Sequence, residues 1–246
     1  ENLPEFTANN LSISNTSFHM LSTADSTGMF LKSGDFEITD VLCNFKTNVI
    51  SANQIELDKS SFMMFDRKQT VGKSTEENDS SKTADIKIPF QIDVKKLDIN
   101  NSLFVIKSTD TIPKPEFNPA NLNLVINKFE VKEIYHHNGN AGLSIVETKV
   151  SDRSGLAIRK LTGDFKITPV STSISNLELK TGNSELSGII FARYQSLQKL
   201  IEEPSKTVVK LQLTNTIICL DDLVFFKNDL LEQEIISKNR HRKNVI

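Results

Sequence analysis

The residues able to carry covalent chemistry are few and poorly grouped. His19, His136, His137 and His241 are the only histidines. His136-His137 adjoins Asn138-Gly139-Asn140, a turn signal, and neighbours on a strand face opposite ways, so the two do not share a metal ion. Cys43 and Cys219 lie far apart, with neither a CxxC partner nor a nearby histidine, and read as lone thiols on strands; one disulfide between them stays open. Glu76-Glu77 sits in a stretch with almost nothing to bury and lacks the fixed geometry of an acid–base pair. Asp221-Asp222 reads as a helix cap. There is no Gly-rich phosphate loop, no G-x-S-x-G and no H-E-x-x-H. The expectation is a protein without enzymatic activity, metal or cofactor.

The 246 residues carry 29 Lys+Arg against 31 Asp+Glu, a net charge of −2. No general basic field exists to collect phosphates, so nucleic acid is not an expected partner. No apolar run is long enough to cross a bilayer as a helix. Ser, Thr and Asn make up roughly a quarter of the chain, favouring turns and edges over long helices. The chain starts Glu1-Asn2-Leu3-Pro4 and reads as a fragment cut from something larger or as a processed product; the basic run from Lys238 to Lys243 reads as a solvated linker end.

The dominant period is two. Leu11/Ile13, Phe36/Ile38, Ile55/Leu57, Leu97/Ile99, Leu122/Leu124/Ile126, Phe129/Val131, Leu156/Ile158, Phe165/Ile167 and Leu177/Leu179 all alternate with polar residues. So do Leu143/Ile145 and Leu211/Leu213. Alternation gives a sheet with one apolar and one wet face, expected to be antiparallel. Helical spacing occurs at Tyr194, Leu197, Leu200 and Ile201, stopped by Glu202-Glu203-Pro204, and again after Asp221-Asp222 at Leu223, Phe226, Leu230 and Leu231. Residues 70–84 read as a mobile polar loop. The chain therefore divides into a β-repeat segment over 1–110, a second over 111–220, and a short helix with a basic tail over 221–246.

An apolar pair followed by Phe recurs at Leu11/Ile13/Phe18, Ile55/Leu57/Phe62, Leu97/Ile99/Phe104 and Leu122/Leu124/Phe129. The Phe comes an odd number of residues after the pair, so a bend or bulge must return it to the same face. Ser33-Gly34-Asp35-Phe36-Glu37-Ile38-Thr39 is echoed by Thr162-Gly163-Asp164-Phe165-Lys166-Ile167-Thr168. Repeated strand units stack. They build either a curled sheet with an open apolar groove or a sandwich whose inner faces fill each other; the pattern leaves both open.

A resemblance bears on that choice. Phe117-Asn118-Pro119-Ala120-Asn121-Leu122-Asn123-Leu124, Arg153-Ser154-Gly155-Leu156-Ala157-Ile158, Leu161-Thr162-Gly163-Asp164, the run Leu177-Glu178-Leu179-Lys180-Thr181 with Ser184 and Leu186, and Asp222-Leu223-Val224-Phe225-Phe226 follow one another. In this order they resemble the N-terminal periplasmic part of TamB-like proteins of the AsmA-like superfamily (translocation and assembly module) of Gram-negative bacteria. The first half is similar to that family's L-x-I-x-x-G-x-F units, with Thr16, Ser60 and Ser102 in place of Gly. The resemblance implies a mainly β fold: an elongated, curled antiparallel sheet forming an open apolar groove, with one or two short helices near the C-terminal end. It implies a periplasmic segment of an inner-membrane-anchored protein that carries phospholipid acyl chains to the outer membrane, with a BamA-like outer-membrane barrel protein as partner. The alternative it leaves is a scaffold for barrel-protein assembly working through sheet edges.

On this reading the alternating apolar residues named above, from Leu11 to Leu179, line the groove. Each buried methylene contributes about 0.8 kcal/mol, so two long acyl chains in bare water face a barrier on the order of tens of kcal/mol, which a greasy lining removes. Asp25-Ser26-Thr27 and Asp110-Thr111-Ile112 resemble a periplasmic O-glycosylation pattern, with Ser26 and Thr111 as acceptors.

Overall fold

The computed structural model describes residues 4–22, 27–66, 90–108, 121–153, 155–219 and 222. The 70–84 loop, Ser26, Thr111, the second helix and the basic tail lie outside the described residues. Those described fold mainly as strand: β1 (Glu5–Leu21), β2 (Thr27–Asn44), β3 (Val49–Asp58), β4 (Ser61–Asp66), β5 (Gln91–Ser108), β6 (Asn123–His137), β7 (Asn140–Asp152), β8 (Ala157–Ile158), β9 (Lys160–Thr168), β10 (Ser171–Lys180), β11 (Glu185–Arg193) and β12 (Val208–Ile217). All belong to one sheet, ordered β1-β2-β3-β5-β6-β7-β9-β10-β11-β12, with β4 beside β2 and β5 and β8 beside β7.

The sheet is mixed, which corrects the wholly antiparallel expectation. β3 and β4 both run parallel to β5. The chain breaks at Lys59-Ser60 but does not turn back, so β4 extends the line of β3. A parallel neighbour needs a crossover rather than a hairpin, and strand alternation carries no signal for that. The pairing explains the sequence repeat. Ile55, Leu57 and Phe62 stand directly beside Leu97, Ile99 and Phe104. Leu11, Ile13 and Phe18 join them through Ile38, Phe36 and Leu31. The fourth copy runs the other way: Leu124 meets Phe104 and Phe129 meets Ile99.

The bend the repeat demands is present. Asn15, Lys59 and Asn101 have φ of 50°, 50° and 48°. Each is followed by a hydroxyl residue whose Oγ donates to the carbonyl two residues back: Thr16 to Ser14, Ser60 to Asp58 and Ser102 to Asn100. Asn215-Thr216 repeats the device at φ 46°. Local side-chain bonds of this kind compete with the ladder and favour a kink. Thr16, Ser60 and Ser102, the positions where the resembled family has Gly, therefore have a role of their own. A left-handed residue uses up one step of alternation, so the next apolar residue returns to the same side.

The one helix among the described residues, α1 (Leu197–Glu202), forms where the spacing predicts it. Ser196 caps it, its Oγ accepting from the Lys199 N–H at 3.1 Å, and Pro204 opens a 3-10 turn after it. Burial is thin. Val131 is the one large side chain below 2% exposure among the described residues, and the rest of the buried apolar set is chiefly Val, Ala and Leu. Phe6, Phe18, Met20, Val209 and Leu211 are exposed. Apart from the helix, every described element packs chiefly against its hydrogen-bonded neighbours. A filled sandwich of this size would bury its Phe and Leu side chains, and these stay half-exposed.

Candidate functional site

Directly paired residues project to the same side of a sheet, as do residues two apart along a strand. On that rule the apolar residues fall into rows across the strands. One row runs Phe6, Cys43, Ile50, Ile92, His136, Ala141, Ile167, Thr172, Ala192, Val209, each paired with the next, through all ten strands of the sheet path. Beside it lie Ala8 with Val41, Ala52 with Val94 and Ile134, and Leu143 with Phe165, Ile174, Ile190 and Leu211. A third row is Leu11, Ile38, Ile55, Leu97, Val131, Ile145, Gly163. A fourth is Ile13, Phe36, Leu57, Ile99, Phe129, Thr148. Beyond the kinks come Phe18, Leu31, Phe62, Phe104, Leu124, with the Phe62 and Phe104 rings stacked at 5.3 Å.

The sequence-predicted positions fall in these rows or next to them. Ile126 pairs with Val150, which pairs with Ile158. Leu179 lies between Leu161 and Leu186, and Leu177 meets Gly188. Leu122 precedes β6, its carbonyl accepting from the Ile106 N–H at 3.0 Å, and Leu156 lies buried in the loop before β8. Most are half-buried; Val131, Leu156 and Leu177 are buried and Ile167 is exposed. Sequence reasoning missed Ile50, Ile92, Val94, Ile134 and Ile174 as members of the same face. Their signal is a step of three, such as Val131 to Ile134 around Glu133 or Ile174 to Leu177 around Asn176.

Beyond the line through Asn15, Lys59 and Asn101 the opposite face carries Phe30, Met63, Leu103 and the buried Val105, whereas between the kink lines it is wet. Ser12, Glu37, Glu56, Asp98, Glu130 and Glu147 form a row across it. Asp98, its side chain 5% exposed, accepts from Lys96 Nζ at 2.6 Å and Lys128 Nζ at 3.0 Å. Lys132 reaches Glu130 at 3.6 Å and Lys149 reaches Glu147 at 2.6 Å. Burial pushes the Asp98 carboxyl up, but the Lys96 and Lys128 ammonium groups outweigh it and hold it below the ordinary carboxylate range. A lowered folded-state pKa contributes stability above the unfolded value of about 3.9 and loses it as the pH falls towards the folded one. Urea unfolding across that acid range should therefore show a shallower pH slope for Asp98→Asn than for wild type; parallel slopes contradict the coupling.

Elsewhere, three residues of the resembled pattern meet. Asp222, 5% exposed, accepts from the Thr181 hydroxyl and from Asn183 Nδ2 at 3.1 Å, and the Ser184 N–H donates to Thr181 Oγ1 at 3.0 Å. Burial raises the Asp222 carboxyl and its Ser184, Thr181 and Asn183 partners lower it more. Asp222 thus fastens the chain after β12 to the β10–β11 turn. His136 Nδ1 lies 2.8 Å from the Phe90 carbonyl, and His137 stacks on Tyr135. Among the described residues no group of three or more His, Cys, Asp or Glu could hold a metal ion, and Cys43 and Cys219 are free thiols. No helix among them is long and apolar enough to cross a membrane. Compared with known proteins, the chain matches no protein-family model and no curated protein.

What this arrangement can do follows from its contrast. Between the kink lines one face offers rows of Leu, Ile, Val and Phe, the longest running from Leu11 to Ile145 across six neighbouring strands, while the other face is held in water by charge. Apolar contact is non-directional and scales with area, so the face suits a long hydrocarbon.

Proposed function

We propose that this chain is a segment of a periplasmic, bridge-like lipid transfer protein of the TamB-like kind, its apolar face carrying phospholipid acyl chains between inner and outer membrane. The observation that supports it most is the unbroken row from Phe6 to Val209, on a face with no second sheet among the described residues. Acyl chains laid along such rows keep their contacts while sliding, and the headgroup stays in water. A BamA-like barrel protein is the partner this reading implies at the outer membrane. The test is lipid analysis by mass spectrometry of protein purified without detergent. Phospholipid at about one molecule or more per chain is expected, since even a few buried methylenes are worth several kcal/mol; lipid-free protein contradicts it.

The edges of β1 and β12, with no strand beside them among the described residues, favour a second reading, a scaffold that pairs client strands during barrel-protein assembly. β12 is exposed along nearly its whole length. On that reading a proline at Lys210 abolishes function, whereas lipid carriage survives it.

A further inference from the structure

The outer edge of β1 has no strand beside it among the described residues, and apart from the kink at Asn15 β1 carries few of the usual defences. It is 17 residues long, without proline, and Glu5 is its one carboxylate or lysine-type charge. Its sequence is also close to a palindrome about Ser12. Phe6 mirrors Phe18, Thr7 Ser17, Ala8 Thr16, Asn9 Asn15, Asn10 Ser14 and Leu11 Ile13. The backbone has the matching symmetry. In the β1–β2 and β5–β6 pairs each kink sets one left-handed residue against one extended residue. Asp40 (φ 49°) stands opposite Asn9, Asn15 opposite Gly34, Glu133 (φ 54°) opposite Lys95 and Asn101 opposite Asn127. A two-fold axis through Ser12 places left-handed Asn15 against extended Asn9 of a second copy, and Asn9 against that copy's Asn15.

We infer that two copies of this chain pair antiparallel through β1 about a two-fold axis at Ser12. The interface is isologous, as a two-fold requires. Register is fixed by the apolar pattern, because a one-residue slip would turn every side chain over. At this register Phe6 meets Phe18, Leu11 meets Ile13, and the apolar rows of one copy continue into the other. Phe6 and Phe18, 47% and 50% exposed in the single chain, become covered. β12 has no such symmetry. The inference is independent of what the apolar face carries.

The test is sedimentation velocity over a concentration series, with wild type and the variant Asn10→Lys/Ser12→Lys/Ser14→Lys. These three positions lie on the wet face, across from Thr39, Glu37 and Asp35, so lysines there suit the folded chain. About the two-fold they face one another, giving three pairs of like charges. Wild type is expected as a reversible dimer, and the variant's self-association to weaken by on the order of tenfold or more. Mixed with wild type, the variant still forms heterodimer, since lysine then faces Asn and Ser. Should the triple variant lose its strand signal in circular dichroism, Ser12→Lys alone serves, with a loss of about fivefold. A wild type that stays monomeric, or a folded variant that dimerises as tightly as wild type, overturns the inference; the latter result would mean β1 meets a different strand.

Discussion

Aspartate in place of Leu124, Phe165 or Leu179 is expected to cut bound phospholipid at least tenfold while the strand content of the sheet holds. Each side chain sits in the apolar face and is half-buried, so the fold loses only part of the roughly 1.5–3 kcal/mol that full burial of such a residue contributes. The ligand loses more. A carboxylate in the row must either shed water against hydrocarbon, at several kcal/mol, or keep its water and interrupt the chain's path. Leu124 adjoins Phe104, Phe165 lies between Leu143 and Ile174, and Leu179 lies between Leu161 and Leu186, so the three probe separate parts of the face. Lipid bound to the purified variants reads the effect, with circular dichroism as the fold control. Wild-type lipid content in all three would count against the face as the carrier.

The largest stability loss is expected from Gly188→Val. A Cβ there would lie 2.1 Å from the Gln212 carbonyl oxygen and 2.9 Å from Leu213 Cα, both backbone atoms of β12, and φ is +149°. Neither the neighbour nor the residue can relax cheaply, and a loss of about 3 kcal/mol or more is expected, with β12 detaching first. Gly182→Ala is the internal control: nothing lies within 4 Å of its Cβ position, and its effect should stay within about 0.5 kcal/mol. Urea unfolding of the two variants beside wild type checks both values. Equal midpoints would mean that β11 and β12 are not held in this register.

Strand identity was legible because period two survives between kinks: Leu11/Ile13, Ile55/Leu57 and Leu97/Ile99 are read directly, and each pair does lie on one strand face. The odd spacing to Phe18, Phe62 and Phe104 announced a bend, and the bend is there. Illegible was the second kink line, through Asp40 and Glu133. Across it Val94 and Leu97, three residues apart, read as opposite faces although their ladder partners place them in neighbouring rows. Asn15, Asn101 and Asn176 are residue types that tolerate left-handed backbone; Lys59 and Glu133 carry it with no such signal. The parallel junction of β3 with β5 was equally hidden, since the repeat of 42 residues from Ile55 to Leu97 fits a crossover as well as two hairpins.

The most direct test of the apolar face as a lipid carrier is a photo-cross-linking scan along β5 in cells. A photoreactive phenylalanine analogue is placed singly at Lys96, Leu97, Asp98, Ile99, Leu103 and Phe104. Phospholipid adducts at 97, 99 and 104, with none at 96, 98 and 103, are the expected result, because the kink at Asn101 shifts the alternation by one. Adducts spread evenly over the six positions, or absent from all, would contradict it.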